Sequence, residues 1–416
     1  MSELLIEHRR PLLRAAVVSS GRLTDLHIDR VDRDGHIDRD DRDDGHVDRD
    51  GQACPRTGSL WLGRVERLVS GINAAFIDLG TGKAGLLGMT DVRLQGGKRP
   101  EPGTAIGTLL CGGQAVLVQV KAEAVGAKGP SLAMEVSLPG RFLVHVPFRN
   151  GVTVSKRVDP GSARAALTQR LQALTVGNGW IARSGTDAII DDRLIAAESD
   201  MLAAQWRELG RRAATSSAPS LLQPGPDAAR RAVIGHGPRP LGKLVVDAPA
   251  VWANNFAEWC AVAAPDLVPL IESVALIKRN GAVFERGDVE GQILALTRPL
   301  VRLAGGGSLI IEHTQALTAI DVNAGEHGNP LSVNLEAATE IARQLRLRNI
   351  GGIVVVDFVS MPRRSDGKRL VDALTAAVRN DPVQTEVYGL SKLGLLELTR
   401  ARRGPMLAEL LLIEAG

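Results

Sequence analysis

The feature that most constrains the fold is a strand–helix–strand pattern whose two strands both end in aspartate. The first strand is the second arm of a predicted hairpin, which turns at Thr314-Gln315, and it ends at Asp321, with Asn323 two residues further on. An amphipathic helix is predicted over about 334–348, and an apolar strand follows that ends at Asp357. This order of elements predicts an α/β unit.

The connection between the two strands determines where their ends lie. Asn334 or Ser332 is predicted to cap the helix. A strand–helix–strand crossover is right-handed and makes its strands parallel in one sheet. Asp321 and Asp357 are therefore expected at the same sheet edge, where open α/β sheets build their sites.

Two carboxylates and the Asn323 amide would form a set of hard oxygen ligands. Mg²⁺ suits such a set, because it binds through one or two carboxylates and completes its shell with water and phosphate oxygens. Aspartates after strands also commonly cap turns and helices, so both interpretations stay open on the pattern alone. The basic residues that follow could hold a phosphate backbone or simply line a solvated loop; they are Arg363, Arg364, Lys368 and Arg369.

The rest of the chain divides by composition. Short apolar runs over 59–136 are separated by Gly and Asn turns, which predicts a small antiparallel barrel. Residues 138–192 look mixed, with a helical stretch at 161–174, and 193–213 reads as a helix. Residues 215–240 are rich in Pro, Gly and Ser and indicate a boundary or a long loop.

Residues 25–50 are unlike the rest of the chain. They hold 11 Asp and 5 Arg, a net charge of −6, so the remainder carries +9 although the whole chain sums to only +3. With almost no apolar content, the segment is predicted to be disordered or a solvated loop. Weak metal binding is the alternative, but Arg30 occupies the first ligand position that a calcium loop would need.

Other motifs point away from several function classes. Gly80-Thr-Gly82-Lys-Ala-Gly85 has dinucleotide-site spacing but no helix after it, so a hairpin turn is predicted. Three distant cysteines and the absence of C-x-x-C suggest neither disulfides nor a zinc knuckle. The sequence shows no signal-peptide pattern and no apolar run long enough to span a bilayer, so a cytoplasmic, soluble protein without membrane partners is expected.

Longer segments resemble one known family. ALTAIDVNAG, NLEAATEIARQLRLRNIGGIVVVDFVSM and LSKLGLLELTRAR closely resemble the ribonuclease E/G family, and the resemblance extends from RAAVVSSGRLTDL to Arg402. It implies an α/β multidomain protein with an S1-type OB barrel, a 5′-sensor region, an RNase H-like subdomain and a DNase I-like catalytic α/β subdomain.

The implied boundaries run along the chain in seven segments. They are the first part of the RNase H-like subdomain (1–24), the acidic insertion (25–57), the S1-type RNA-binding domain (58–136), the 5′-sensor region (137–213), the second RNase H-like part (214–295), the catalytic subdomain (296–404) and a tail (405–416).

The resemblance also assigns candidate site residues. Asp321 and Asp357 match the family's magnesium-binding carboxylates, and Asn323 its supporting asparagine; Mn²⁺ is an alternative metal. The residues that match the 5′-monophosphate pocket are Arg183, Ser184, Gly140 and Val144, with Ser in place of the more familiar Thr. An arginine with a hydroxyl residue is a good recognition set for a terminal phosphate.

RNA contacts are implied at the barrel, together with departures from the family pattern. Phe76 matches a base-stacking aromatic and Lys128 a basic contact. Leu86 and Leu393 stand where aromatics are usual, and Lys392 where arginine is usual, so weaker or differently selective RNA binding is a hypothesis.

The resemblance predicts an endoribonuclease that cleaves single-stranded RNA to 5′-phosphate and 3′-hydroxyl ends in rRNA or tRNA processing or mRNA decay. An RNA-binding protein of the same fold with little cleavage is the alternative, and a DNA-directed nuclease is a weaker one. The given sequence contains no C-P-x-C segment, so neither structural zinc nor a zinc-linked dimer is expected, while other oligomerisation stays open.

Overall fold

The structure is a computed structural model that describes residues 1–9, 11–30, 55–126, 128–155, 162–189, 191–273, 282–285, 288–326, 329–361, 363–379 and 381–412. The chain divides into two compact units. The first unit comprises residues 1–17 and 27–283, and the second comprises 18–26 and 284–416. Each unit is described by itself below.

The secondary structure of the described residues alternates short strands with helices. The strands are β1 (Ser2–Arg9), β2 (Leu12–Ser19), β3 (Arg22–Arg30), β4 (Leu60–Val69), β5 (Ala74–Asp78), β6 (Gly85–Gly88), β7 (Ala115–Ala122), β8 (Ser131–Ala133), β9 (Leu138–Pro139), β10 (Leu143–His145), β11 (Val152–Val154), β12 (Trp180–Ala182), β13 (Ser220–Gln223), β14 (Leu241–Asp247), β15 (Ile271–Ser273), β16 (Leu300–Arg302), β17 (Ser308–His313), β18 (Leu317–Asn323), β19 (Gly352–Asp357), β20 (Thr385–Leu390) and β21 (Leu396–Arg400). The α-helices are α1 (Ser162–Leu174), α2 (Asp192–Thr215), α3 (Ala228–His236), α4 (Ala250–Ala263), α5 (Ala282–Glu285), α6 (Val289–Leu296), α7 (Pro330–Leu347), α8 (Arg364–Val378) and α9 (Leu407–Leu412).

The second unit is built on a six-stranded sheet in the order β16–β17–β18–β19–β21–β20. β18 and β19 are parallel, and α7 is the crossover between them, as the strand–helix–strand pattern predicts. α7 and α8 cover one sheet face, where Ile320, Val354, Leu345 and Leu374 belong to one buried cluster. The opposite face of β18 and β19 carries the exposed side chains.

The first unit contains the predicted barrel. Its sheet runs β4–β5–β6–β8–β7, and pairing of β4 with β7 closes it, which is consistent with an S1-like OB fold. The glycine motif forms the turn between antiparallel β5 and β6, with Gly80 and Gly82 at φ of 75° and 73°, so the hairpin prediction is confirmed. Such positive φ values favour glycine because it lacks a Cβ atom.

Two further sheets complete the first unit. β11–β12–β10–β9 form a small sheet whose core is shared with α1 and α2, and these helices confirm the predicted stretches 161–174 and 193–213. A five-stranded sheet in the order β15–β14–β1–β2–β3 joins the N-terminal strands to strands beyond residue 240. β13 differs from its expected grouping with 214–295, because it pairs with the barrel strand β4.

The acidic segment begins later than the sequence predicted. Residues 25–30, expected to be disordered or a solvated loop, continue strand β3, and Asp29 is buried. The side chain of Asp29 accepts hydrogen bonds from Arg56, Arg231 and the backbone N–H of Ala228, which supply the partners that a buried carboxylate needs. Residues 31–54 lie outside the described residues.

The predicted start of the crossover helix is wrong by one turn. α7 begins at Pro330, and Asn329 caps it by accepting from the backbone N–H groups of Leu331 and Ser332. Proline suits the first helical position, because its missing N–H would have no partner there. Neither Ser332 nor Asn334 is the cap. Among the helices of the described residues, none combines the length and hydrophobicity that a membrane-spanning segment needs.

Candidate active site

The two predicted metal-binding aspartates are direct neighbours across the sheet. In the parallel register of β18 and β19, the Cα atoms of Asp321 and Asp357 are partners. Neighbouring strands lie about 4.8 Å apart, so the two carboxylates leave the sheet side by side. Both residues are exposed at the carboxyl ends of their strands. The sequence prediction of a shared sheet edge is confirmed.

Strand alternation explains why these side chains face solvent. Ile320 and Val322 of β18 and Val356 of β19 point into the core under α7 and α8. Successive side chains of a strand point to opposite faces, so Asp321, Asn323 and Asp357 must lie on the open face. Burial of the apolar residues thereby fixes the direction of the polar ones.

Asn323 lies on the same face and contacts Asp321. Its Nδ2 donates a hydrogen bond of 2.8 Å to Oδ2 of Asp321. This bond restricts the rotation of the Asp321 carboxylate and leaves its other oxygen towards solvent. Asn323 therefore orients a candidate metal ligand, and its amide oxygen is not used in that bond.

The donor set of this site limits the metal that it fits. Among the described residues, no group of three or more His, Cys, Asp or Glu side chains could hold a metal ion. Two adjacent carboxylates with an amide oxygen nevertheless fit Mg²⁺, which keeps several waters and takes phosphate oxygens as ligands. A dedicated calcium site usually collects more carboxylate and carbonyl oxygens from the protein than this set offers.

Asn334 fixes the backbone just beyond Asp357. This side chain is fully buried in α7, where its Nδ2 donates to the carbonyl of Val359 and its Oδ1 accepts from the Val359 N–H, at 2.8 and 3.1 Å. The helix thereby holds the segment that follows the second aspartate. The sequence predicted Asn334 or Ser332 as the cap; the polar side chain of Asn334 on the apolar helix face was the signal of a buried role.

The basic residues predicted to contact phosphate follow the same strand end. Arg363 immediately precedes α8, and its side chain is exposed. Lys368 and Arg369 are exposed on the helix, where Arg369 pairs with Asp366 at 3.7 Å. The side chain of Arg364 lies outside the described residues. The segment after β19 therefore presents exposed cations just before α8 and within the first two turns of that helix.

The predicted 5′-sensor residues lie together in the first unit. Arg183 follows β12, and its Nη1 donates to the carbonyls of Gly140 at 2.7 Å and of Ile234. Ser184 is exposed next to it, and Val144 lies in the adjacent strand β10, paired with Ile181. Arg183 and Gly140 are thus in direct contact, with a serine hydroxyl exposed beside them.

Glu198, a residue that the sequence analysis missed, organises this loop from α2. Its buried carboxylate accepts from the backbone N–H groups of Arg141, Phe142 and Leu143. Burial raises the pKa of Glu198, and the three backbone hydrogen bonds oppose that shift. A Cβ atom at Gly140 would lie 2.4 Å from Cδ of Glu198, so a larger residue there would displace the Glu198 carboxylate. An acidic residue on the apolar face of a predicted helix was the available signal.

The predicted RNA-contacting residues of the barrel lie at its surface, Phe76 on a strand and Lys128 in a turn. Phe76 of β5 is half-buried, with the Arg67 guanidinium 4.5 Å from its ring centre, and its cross-strand partner is Leu86. Arg67 was not predicted. Lys128 is exposed in a turn closed by backbone hydrogen bonds with Val125. Surfaces that bind single strands combine aromatic rings, on which bases stack, with basic side chains.

Comparison with known proteins agrees with the resemblance in the sequence. The model of the family described as "Ribonuclease E/G family" matches residues 137–403. A ribonuclease E of Synechocystis sp. is 35% identical over 85% of this chain and 53% of that protein, and one of Nostoc sp. is 34% identical over 85% and 52%. A ribonuclease G of Escherichia coli is 30% identical over 96% of this chain and 80% of its own length. The chain spans about half the length of the two ribonuclease E relatives. It belongs to the ribonuclease E/G family.

Proposed function

We propose that the protein is a Mg²⁺-dependent endoribonuclease that cleaves single-stranded RNA in rRNA or tRNA processing or mRNA decay. The observation that carries the proposal is the paired register of Asp321 and Asp357 at one sheet edge, in a chain of this family. Relatives named ribonuclease E and ribonuclease G support RNA as the substrate.

The site residues have distinct roles in this proposal. Asp321 and Asp357 hold the metal ion, and Asn323 orients Asp321 and positions the scissile phosphate. Mg²⁺ held there would polarise a phosphate and activate a water for in-line attack. Hydrolysis forms a bond from the water oxygen to phosphorus and breaks the bond to the 3′ oxygen, which takes up a proton. The products carry a 5′-phosphate and a 3′-hydroxyl.

Metal removal is the first test of the proposal. We expect the protein to cleave an unstructured, 5′-monophosphorylated RNA oligonucleotide in the presence of Mg²⁺. Cleavage should stop when EDTA is in excess, because without the metal ion no positive charge at the two carboxylates stabilises the phosphate. Gel analysis of end-labelled RNA measures cleavage, and a DNA oligonucleotide of the same sequence is the matched control. RNA binding without metal-dependent cleavage would favour the alternative, an RNA-binding protein of this fold.

The second prediction concerns the 5′ end of the RNA. We propose that Arg183, Ser184 and the backbone at Gly140 and Val144 recognise a 5′-monophosphate. Ser184→Ala should lower the ratio of cleavage rates on monophosphate-ended and triphosphate-ended RNA by about tenfold, since a hydrogen bond to a charged group contributes about 1.5–3 kcal/mol. Rates on 5′-hydroxyl RNA should not change, which makes that substrate the internal control. Equal wild-type rates on the monophosphate and triphosphate ends would contradict the preference.

A further inference from the structure

Tyr388 on the open sheet face of the second unit has no part in the proposed chemistry. It is the single tyrosine of the chain, and 63% of its surface is exposed. The other eleven aromatic residues, all of them within the described parts of the chain, are buried or half-buried. An exposed ring contributes little to a hydrophobic core, so folding alone does not explain an aromatic residue here.

The ring of Tyr388 is held in a fixed place on the sheet. Its hydroxyl donates to Oε2 of Glu386 at 3.2 Å and lies 3.3 Å from Oγ1 of Thr399 on the neighbouring strand. The pairing of β20 with β21 also shifts register between Val387 and Gly389, which makes Tyr388 the extra residue of a β-bulge. Bulges often occur next to active sites, where they redirect a side chain.

The register of the sheet places Tyr388 near the candidate metal ligands. β21 lies between β20 and β19, with Glu397 paired to Val355 and Thr399 paired to Ile353. Tyr388 therefore lies two inter-strand spacings, about 10 Å, from β19. Along the direction of β19, it lies about 7–13 Å before the level of Asp357. Ile353, 51% exposed, lies on the same face and is paired with Thr399. The ring is thus within a few nucleotides of a phosphate bound at Asp321 and Asp357.

The negative charges on this sheet face favour the approach of a nucleobase over that of the phosphate backbone. Glu386 and Glu397 are exposed beside the ring, and Asp321 and Asp357 lie further along the same face. Glu386 and Glu397 repel a phosphate backbone from the surface beside the ring, whereas they do not oppose the uncharged π-face of a nucleobase. An aromatic ring stacks with any base and needs no cation beside it.

We propose that Tyr388 is a stacking platform for one nucleobase of the single-stranded RNA near the cleaved bond. The inference rests on the proposed function, because continuity with the Asp321–Asp357 site is what favours RNA over a protein partner at this surface. It adds a substrate-positioning residue on the sheet that carries the carboxylates. Leu393, 86% exposed in the turn that follows β20, offers no ring.

The test combines substitutions of Tyr388 with RNAs that each lack one base. Tyr388→Ala should lower kcat/KM on intact RNA by about tenfold, because stacking contributes about 1–3 kcal/mol per base. Rates at saturating RNA should stay within about twofold, since stacking binds substrate and transition state alike. Tyr388→Phe and Tyr388→Trp should stay close to wild type. Leu294→Ala, at an exposed apolar residue of α6, is the matched control.

The abasic RNAs identify the stacked base. With wild-type protein, removal of the base at one position should lower kcat/KM about tenfold. With Tyr388→Ala, removal of the same base should cause no further decrease in kcat/KM. An unchanged abasic penalty in Tyr388→Ala, or wild-type kcat/KM for that variant, would overturn the proposal. A change in oligomeric state by light scattering without a change in cleavage would overturn it in favour of a protein contact. These outcomes require a wild type that cleaves RNA, so they are distinct from failure of the proposed function.

Discussion

Asp321→Asn is expected to lower kcat for RNA cleavage by about a thousandfold. The substitution removes a negative charge from the pair that faces the metal and leaves the shape of the side chain nearly unchanged. A catalytic metal ion contributes several kcal/mol of charge stabilisation, and each 1.4 kcal/mol corresponds to about tenfold in rate. Single-turnover cleavage of 5′-monophosphorylated RNA in Mg²⁺ measures the effect.

A matched control separates loss of the metal ligand from a general change of charge on this face. Glu312 of β17 is also exposed, and it pairs with Ala319, two residues before Asp321 on β18. Glu312→Gln should therefore cleave at the wild-type rate. RNA affinity without metal, measured by fluorescence anisotropy, should stay within about twofold for Asp321→Asn. Wild-type cleavage by Asp321→Asn would show that Asp321 does not hold the catalytic metal.

The candidate metal site could be predicted from the sequence because a local pattern determines it. Apolar alternation before Asp321 and Asp357 defines two strands, and the amphipathic helix between them makes the strands parallel. Their shared register then follows from chain connectivity, and the structure pairs the two Cα atoms directly. Little beyond the spacing of apolar residues is needed to bring the carboxylates together.

Residues whose role depends on distant partners could not be predicted in this way. Glu198 binds backbone N–H groups more than fifty residues earlier in the chain, and Asn334 binds Val359 across the crossover. Composition was misleading at Asp29, because an aspartate in an acidic run looks solvated until its arginine partners are known. No sequence pattern around Tyr388 predicts its position relative to the aspartates. Only the register of β20, β21 and β19 shows which residues are its neighbours.

Asp29→Asn is expected to destabilise the first unit by about 3–5 kcal/mol, the usual cost of breaking a buried ion pair by removing one partner. The Asp29 side chain is 7% exposed and pairs with Arg56 at 2.6 Å and with Arg231 at 2.6 Å. Burial lowers the pKa of Arg56, and the charge of Asp29 is the main effect that opposes it. Asparagine would remove the largest countercharge that acts on both guanidinium groups, and the N–H of Ala228 would lose a charged acceptor.

Urea unfolding followed by tryptophan fluorescence is the appropriate measurement, because all five tryptophans lie in the first unit: Trp61, Trp180, Trp206, Trp252 and Trp259. The urea midpoint should fall for Asp29→Asn, while the dependence of the unfolding free energy on urea concentration stays constant.

Asp200→Asn, at an exposed position of α2, should change stability by less than about 0.5 kcal/mol. Replacing Arg56 by Met should cost less in Asp29→Asn than in the wild type, because the partner charge is already gone. If Asp29→Asn and Asp200→Asn unfold at the same urea concentration, the prediction is wrong. Asp29 would then be solvated, as the acidic composition of residues 25–50 suggests.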